Sequence, residues 1–316
     1  MDSNSKNNVP NTVYHYTSPS GLLGIVDNGE DSENAKLWFT RWDSLNDKNE
    51  RYDIQEVLKE YKELKGNDIR KEFRDAIQEL IDTDVTKWKL HPILWRNNTN
   101  GISSMNLSAP DPYDIYICSF SEDGDSLPMW NYYSKSSHYE GYALGIDVAK
   151  WGENVKGLNG CAPEIRRVIY ERENKRNELD KIVLDCNKIL EEDISKELPE
   201  TIRTIRMNQV KQRLLSWIAG LQFFFKNKHF SHENEVRAIL QIPKDKDISN
   251  ELPTKYRTGN GYIIPYVEAS VPKEAITSVT VGPLLEKELA EKNVKEMMES
   301  RGYSCKVHTS EVPIRF

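Results

Sequence analysis

The chain has no apolar run approaching the ~18 residues needed to span a bilayer, and its opening MDSNSKNNVPN carries no hydrophobic stretch of a secretory leader. A cytoplasmic protein without a membrane partner is the expectation. Cysteine is scarce: Cys118, Cys161, Cys186 and Cys305 lie far apart with no C-x-x-C. That spacing indicates neither a disulfide framework nor a zinc site, and leaves buried free thiols. G-x-x-x-x-G-K-[ST], G-x-G-x-x-G after a strand, G-x-S-x-G and H-E-x-x-H are all missing, so nucleotide triphosphatase, Rossmann oxidoreductase, α/β-hydrolase and zincin readings lose their main support. No repeat and no low-complexity segment occurs. Positive charge is not in excess either: the net charge of -7 argues against a broad nonspecific grip on nucleic acid. A local basic stretch does exist between Lys196 and Lys228, with Arg203, Arg206, Lys211 and Arg213, and the wet side of a helix is its simplest reading.

What remains is an ordinary globular composition over 316 residues, 38% hydrophobic and 29% charged, enough to bury a real core. About ten residues of disordered N-terminus, 1–11, precede a strand at Val13–Tyr16. Ser18-Pro19 supplies a cap and a first-turn proline for a short helix ending at Asn28-Gly29. Leu37–Thr40 reads as a second strand. Asp47 and Glu50 resemble a capping box ahead of Ile54, Val57, Leu58, Tyr61 and Leu64 at helical spacing. A further helix is expected over Asp68–Ile81, then a long loop over Trp88–Pro112. Strands follow at Ile115–Phe120, Gly141–Asp147 and Ile165–Tyr170, all in one sheet. Two helices between Glu171 and Lys228 read as an insertion. Strands at Gly261–Val271, Ile276–Val281 and Ser304–His308 close the chain, with a helix between Pro283 and Gly302. Strands interleaved with helices of irregular length predict an α+β fold, one domain over 12–316 with a mixed or split sheet and a helical insertion at about 171–228.

Phe230–Ile242 is the stretch richest in chemistry. With a strand beginning near Glu233, residues two apart share a face, so Glu233 and Glu235 stand side by side while Val236, Ala238, Leu240 and Ile242 form the core-packed face. Two acids on a strand rim suit work on a sugar or polar leaving group. The same pattern also serves as a solvated strand edge. Arg237 is placed to pair with either acid. His229, His232, Glu233 and Glu235 form the one metal-like cluster, but on a strand the two histidines face opposite ways, and no metal site is assigned.

Taken in order, His15-Tyr16-Thr17, Leu37-Trp38-Phe39-Thr40 with Leu45-Asn46-Asp47, Phe120-Ser121-Glu122, Met129-Trp130-Asn131-Tyr132-Tyr133, Glu233-Asn234-Glu235-Val236-Arg237 and Val281-Gly282-Pro283 resemble a widespread bacterial family of unassigned function. That family in turn distantly resembles ADP-ribosyltransferases of the His-Tyr-Glu type. The resemblance implies an ADP-ribosyltransferase-like split sheet with NAD as substrate. It implies Glu235 as the catalytic acid, with Glu233 orienting the acceptor. It places His15 and Thr17 on ribose and nicotinamide, and Phe39, or Trp38, where those enzymes carry the tyrosine that stacks on nicotinamide. Tyr16, Thr40, Arg41, Asn46, Trp130 and Tyr133 are expected around the same pocket. Tyr16 replaces the usual glycine and would narrow it.

Breaking the nicotinamide–ribose bond builds positive charge on the sugar, which a fixed carboxylate stabilises more in the transition state than in the ground state. The expectation is thus a toxin or phage-defence effector, held by an inhibitory antitoxin or chaperone-like protein and modifying a macromolecule, with RNA or DNA favoured over protein. Two alternatives stay open: a non-catalytic module sensing a nucleotide or a phage protein, and a metal-dependent hydrolase or nuclease built on His229, His232 and the acids.

Overall fold

A computed structural model describes residues 9–27, 34–45, 52–88, 113–133, 140–154, 163–194, 199–244, 252–259, 261–284 and 286–313. The chain divides into two compact units, one of residues 1–45, 114–168 and 231–316, the other of residues 46–113 and 169–230.

The first unit holds a ten-stranded mixed sheet. Its strands are β1 (Thr12–Thr17), β2 (Asn34–Arg41), β3 (Tyr113–Ser121), β4 (Tyr142–Asp147), β5 (Glu164–Arg167), β6 (Glu235–Pro243), β7 (Lys255–Gly259), β8 (Tyr262–Pro272), β9 (Ile276–Val281) and β10 (Lys306–Thr309). They run in the order β10-β9-β4-β1-β3-β2-β8-β7, and β3 also pairs with β6, which carries β5 on its other side. The sheet therefore branches at β3. Along that strand Ile117 faces Thr40 of β2 and Ser121 faces Tyr14 of β1. Helices α1 (Pro19–Val26), α4 (Leu127–Tyr133) and α5 (Val148–Asn154) belong to this unit. Lys287–Ser300 forms another helix in it, α8.

Alternation explains the core. Ala35, Leu37 and Phe39 of β2, Val236, Ala238, Leu240 and Ile242 of β6, and Val267, Ala269 and Val271 of β8 all join one buried apolar cluster. Leu22, Ile25 and Val26 of α1 close over it. Ser18 caps α1 by accepting a hydrogen bond from the Gly21 amide at 3.2 Å, and Pro19 opens the first turn. That helix ends at Val26, and Asn28-Gly29 lie outside the described residues.

The second unit consists of α2 (Asp53–Lys65), α3 (Lys71–Asp82), α6 (Arg172–Ile194) and α7 (Glu200–Leu221). The helical unit thus takes in an earlier chain segment as well as the expected insertion. Ile54, Val57, Leu58 and Tyr61 of α2 are buried as their spacing predicts, while Leu64 is exposed. Lys175 of α6 is buried too, and donates to Asp53 Oδ2 at 2.5 Å and to the Lys226 carbonyl at 2.7 Å. No helix among the described residues is long and apolar enough to cross a membrane.

Candidate functional site

His15 sits in the middle of β1, opposite Leu144 of β4. Its Nδ1 lies 3.0 Å from the Ser119 carbonyl, which only accepts, so Nδ1 carries the proton and Nε2 is the acceptor. The ring also meets Phe120 edge-on, with centroids 5.6 Å apart. Burial lowers the pKa below its ordinary 6.5, the Ser119 bond opposes that shift, and the Arg257 charge adds to it. The imidazole is neutral at pH 7. Cys118, 3.8 Å from Nδ1, is buried, and burial pushes its thiol up. Cys118 is therefore a packing group rather than a nucleophile. Cys186 is buried as expected, Cys305 is partly exposed, and Cys161 lies outside the described residues.

The residues of β2 separate by face. Phe39 is fully buried, 6.3 Å from the Trp151 ring. It is core, whereas Trp38, on the other face of the strand, is only partly buried. Trp38 rests on Gly24 of α1, where a Cβ would come within 2.6 Å of the indole. Tyr266 of β8 lies 5.2 Å away from it, ring to ring. The Arg257 guanidinium of β7 stands 5.8 Å above the same indole, and its Nη2 donates to Thr40 Oγ1 at 2.9 Å. Arg257 lies in the polar run Lys-Tyr-Arg-Thr-Gly, an edge strand with no apolar alternation to mark it. Arg41 turns to Asp43 instead, Nε to Oδ1 at 2.8 Å. Thr17 ends β1 with its hydroxyl against Gly21, where a Cβ would overlap it. Asn46 lies outside the described residues.

Tyr16 belongs to a second group. Its ring meets Trp130 at 4.7 Å and Tyr133 at 6.4 Å, its hydroxyl donates to the Asp123 carbonyl at 2.9 Å, and it accepts from the Ser126 amide at 2.9 Å. Neighbouring residues of a strand point to opposite faces, so Tyr16 braces the 123–126 turn and leaves the His15 side unobstructed. Trp130 is buried and donates to Asp125 Oδ1 at 2.8 Å. Asp125 also accepts from the Ser310 hydroxyl at 2.5 Å and the Glu311 amide at 2.7 Å. The loop after β3 is tied down on both sides.

The two acids do not stand side by side on one strand. Glu233 ends a 3₁₀ turn, Lys228–Glu233, and β6 begins only at Glu235. Between them Asn234 adopts a positive φ of 44°, a left-handed conformation that asparagine tolerates. This residue breaks the two-residue alternation. Ser121 Oγ donates to the Glu233 carbonyl at 2.7 Å and the Glu122 amide to the Asn234 carbonyl at 3.0 Å. Glu235 is buried and engages Arg237 with both oxygens, Nε to Oε1 at 2.7 Å and Nη2 to Oε2 at 2.9 Å. Arg166 of β5 lies directly opposite Arg237, and its own partner is Glu164, Nε to Oε1 at 3.9 Å. The same Glu-x-Arg spacing recurs in two paired strands, legible in the sequence once the pairing is known, and sets the two arginines against each other across the ladder.

Glu164 gives a pH test. Its Oε2 is buried without a partner among the described residues, and burial pushes the carboxyl up to about 9 against a weaker pull from Arg166. The unfolded chain releases this proton above its ordinary 4.5, whereas the folded chain holds it to about 9. Stability contributed by Glu164 is therefore full below pH 4.5 and lost as pH rises towards 9, with a slope of at most ~1.4 kcal/mol per unit. Urea unfolding of wild type and Glu164→Gln from pH 5 to 9 should show the difference between them shrinking in this sense. A difference independent of pH would place the carboxyl at an ordinary pKa.

No group of three or more His, Cys, Asp or Glu placed to hold a metal ion occurs among the described residues. His232 Nε2 instead lies 3.1 Å from the Tyr132 hydroxyl.

Residues 129–238 match the family model described as Protein of unknown function (DUF2971). The match covers Trp130, Tyr133, Glu233 and Glu235, and leaves out His15, Trp38 and Arg257. No curated protein and no solved structure matches the chain.

Proposed function

We propose that the chain is an ADP-ribosyltransferase of the split-sheet kind, consuming NAD, with Glu235 as the acid that stabilises the ribosyl cation and His15 as the ribose-binding group. One observation carries the reading: both groups are fixed to a short run of one strand end. Ser119 holds the His15 ring, while Ser121 and Glu122 hold the backbone that delivers Glu235. A neutral imidazole offers one donor and one acceptor to hydroxyls, and a carboxylate held by a bidentate guanidinium is preorganised for a developing positive charge. In the reaction the bond from C1′ to the nicotinamide nitrogen breaks. An oxygen or nitrogen of the acceptor bonds to C1′ and loses a proton, and nicotinamide leaves.

Arg203 and Arg206 are exposed on α7 and favour a nucleic-acid acceptor over a protein. Such an enzyme needs restraint in its own cell, so an inhibitory partner belongs to the proposal. A second reading, a nucleotide-binding sensor without turnover, is favoured by the burial of Glu235 against Arg237.

Labelled NAD incubated with cell extract tests both. Wild type is expected to release nicotinamide and label one macromolecular fraction, and Glu235→Gln to be slower by about 100-fold or more under conditions where its thermal unfolding curve shows it still folded. NAD binding with no release from any extract would leave the sensor.

A further inference from the structure

We infer that Arg257, Trp38 and Thr40 form a binding site for a phosphate group. Arg257 is half-buried in β7, and the ionisable groups coupled to it among the described residues are Tyr266, Cys118, Tyr262 and the neutral His15, none of them an acid charged at neutral pH. Its cation is therefore uncompensated among the described residues, unlike Arg237, Arg167 and Arg301, which meet Glu235, Glu122 and Asp27. A cation drawn out of water without a partner is costly. The side chain is not spare length on the surface either, since it donates to Thr40 and covers the Trp38 indole.

Hydrogen-bonding capacity points the same way. Arg257 Nε and Trp38 Nε1 are both buried without a partner among the described residues. Buried donors are nearly always satisfied, and these two belong to stacked groups, guanidinium carbon to ring centroid 5.8 Å. Thr40 uses its oxygen to accept from Arg257, which leaves its O–H to donate. Three donors and one unpaired cation call for an anion with several oxygens, and the guanidinium fork suits phosphate. Aromatic rings beside the cation, Trp38 and Tyr266, suit a phosphate carried on a nucleotide.

The inference rests on these donors and not on the transferase reading. Pyrophosphate binding without NAD turnover leaves it standing, and NAD turnover without pyrophosphate binding sinks it alone. The test follows the indole N–H signals of the full chain by NMR, with Trp38 assigned through Trp38→Phe, during titration with inorganic pyrophosphate, ADP-ribose and acetate. The expected result is a saturable movement of the Trp38 signal with pyrophosphate and none with acetate, weakened tenfold or more in Arg257→Gln. Tighter binding of ADP-ribose at the same signal would make a nucleotide the source, and equal binding a free phosphate. If the Trp38 signal ignores pyrophosphate in wild type, or follows acetate equally, the site is not a phosphate site, whether or not Arg257→Gln folds.

Discussion

Arg237→Ala is expected to lower the stability of the sheet unit by about 3–5 kcal/mol, because it leaves the Glu235 carboxylate buried without its guanidinium. The side chains are only 5% and 4% exposed, so water cannot take the place of the missing partner. Glu235→Ala should cost a similar amount by stranding the opposite charge, with the Arg166 guanidinium directly across the ladder making matters worse. The double alanine variant should cost less than the two singles together, by about 0.5–3 kcal/mol. Urea unfolding followed by tryptophan fluorescence measures all three. Single losses below ~1 kcal/mol would mean that the pair behaves as a surface ion pair. The cycle also protects the activity test, since a Glu235 variant can fail by unfolding as well as by losing chemistry.

In the helical unit the corresponding weak point is Lys175. Asp53→Ala is expected to cost about 3–5 kcal/mol by leaving the ammonium with the Lys226 carbonyl and the Phe225 ring, 5.7 Å away, as its contacts. Lys175→Met should cost less, because the methylene stem is kept and no charge is stranded in the interior. Burial already holds the Lys175 pKa below its ordinary 10.5, with Asp53 pulling it back up. Without Asp53 the folded-state value falls further. Between that value and 10.5 the unfolded chain binds the proton that the folded one has lost, so the stability of Asp53→Ala should climb with pH over this window. Thermal unfolding from pH 6 to 9 is the measurement, and a flat profile for Asp53→Ala would show that the amine reaches water.

Much of the sheet was legible because its strands alternate. The run Ile-Thr-Ser-Val-Thr-Val predicts a strand at Ile276–Val281, and β9 has those bounds. The apolar parity after Val236 gives the buried face of β6 directly. Parity failed at Asn234, because a left-handed residue has no apolar signature, so Glu233 falls outside the strand it was expected to share with Glu235. Edge strand β7 lacks a signature for a related reason: none of its residues is buried, so no apolar alternation marks it. With it went Arg257, a single arginine whose significance depends on a tryptophan more than two hundred positions away. His15 was found through its motif. Its tautomer required knowing that the Ser119 carbonyl lies beneath it.

The pairing of β2 with β8 has a consequence for how the protein is made. Leu37 faces Ala269, so the second strand leaves the ribosome long before its neighbour exists. At roughly 5–20 residues per second, Ala35, Leu37 and Phe39 wait on the order of ten seconds or more without the strand that completes their layer. The helical segments are synthesised meanwhile and rely mostly on contacts closer in sequence. Slow, non-local closure of the sheet leaves an apolar edge open to other chains, and β2 is where a chaperone would find this nascent polypeptide most in need of cover.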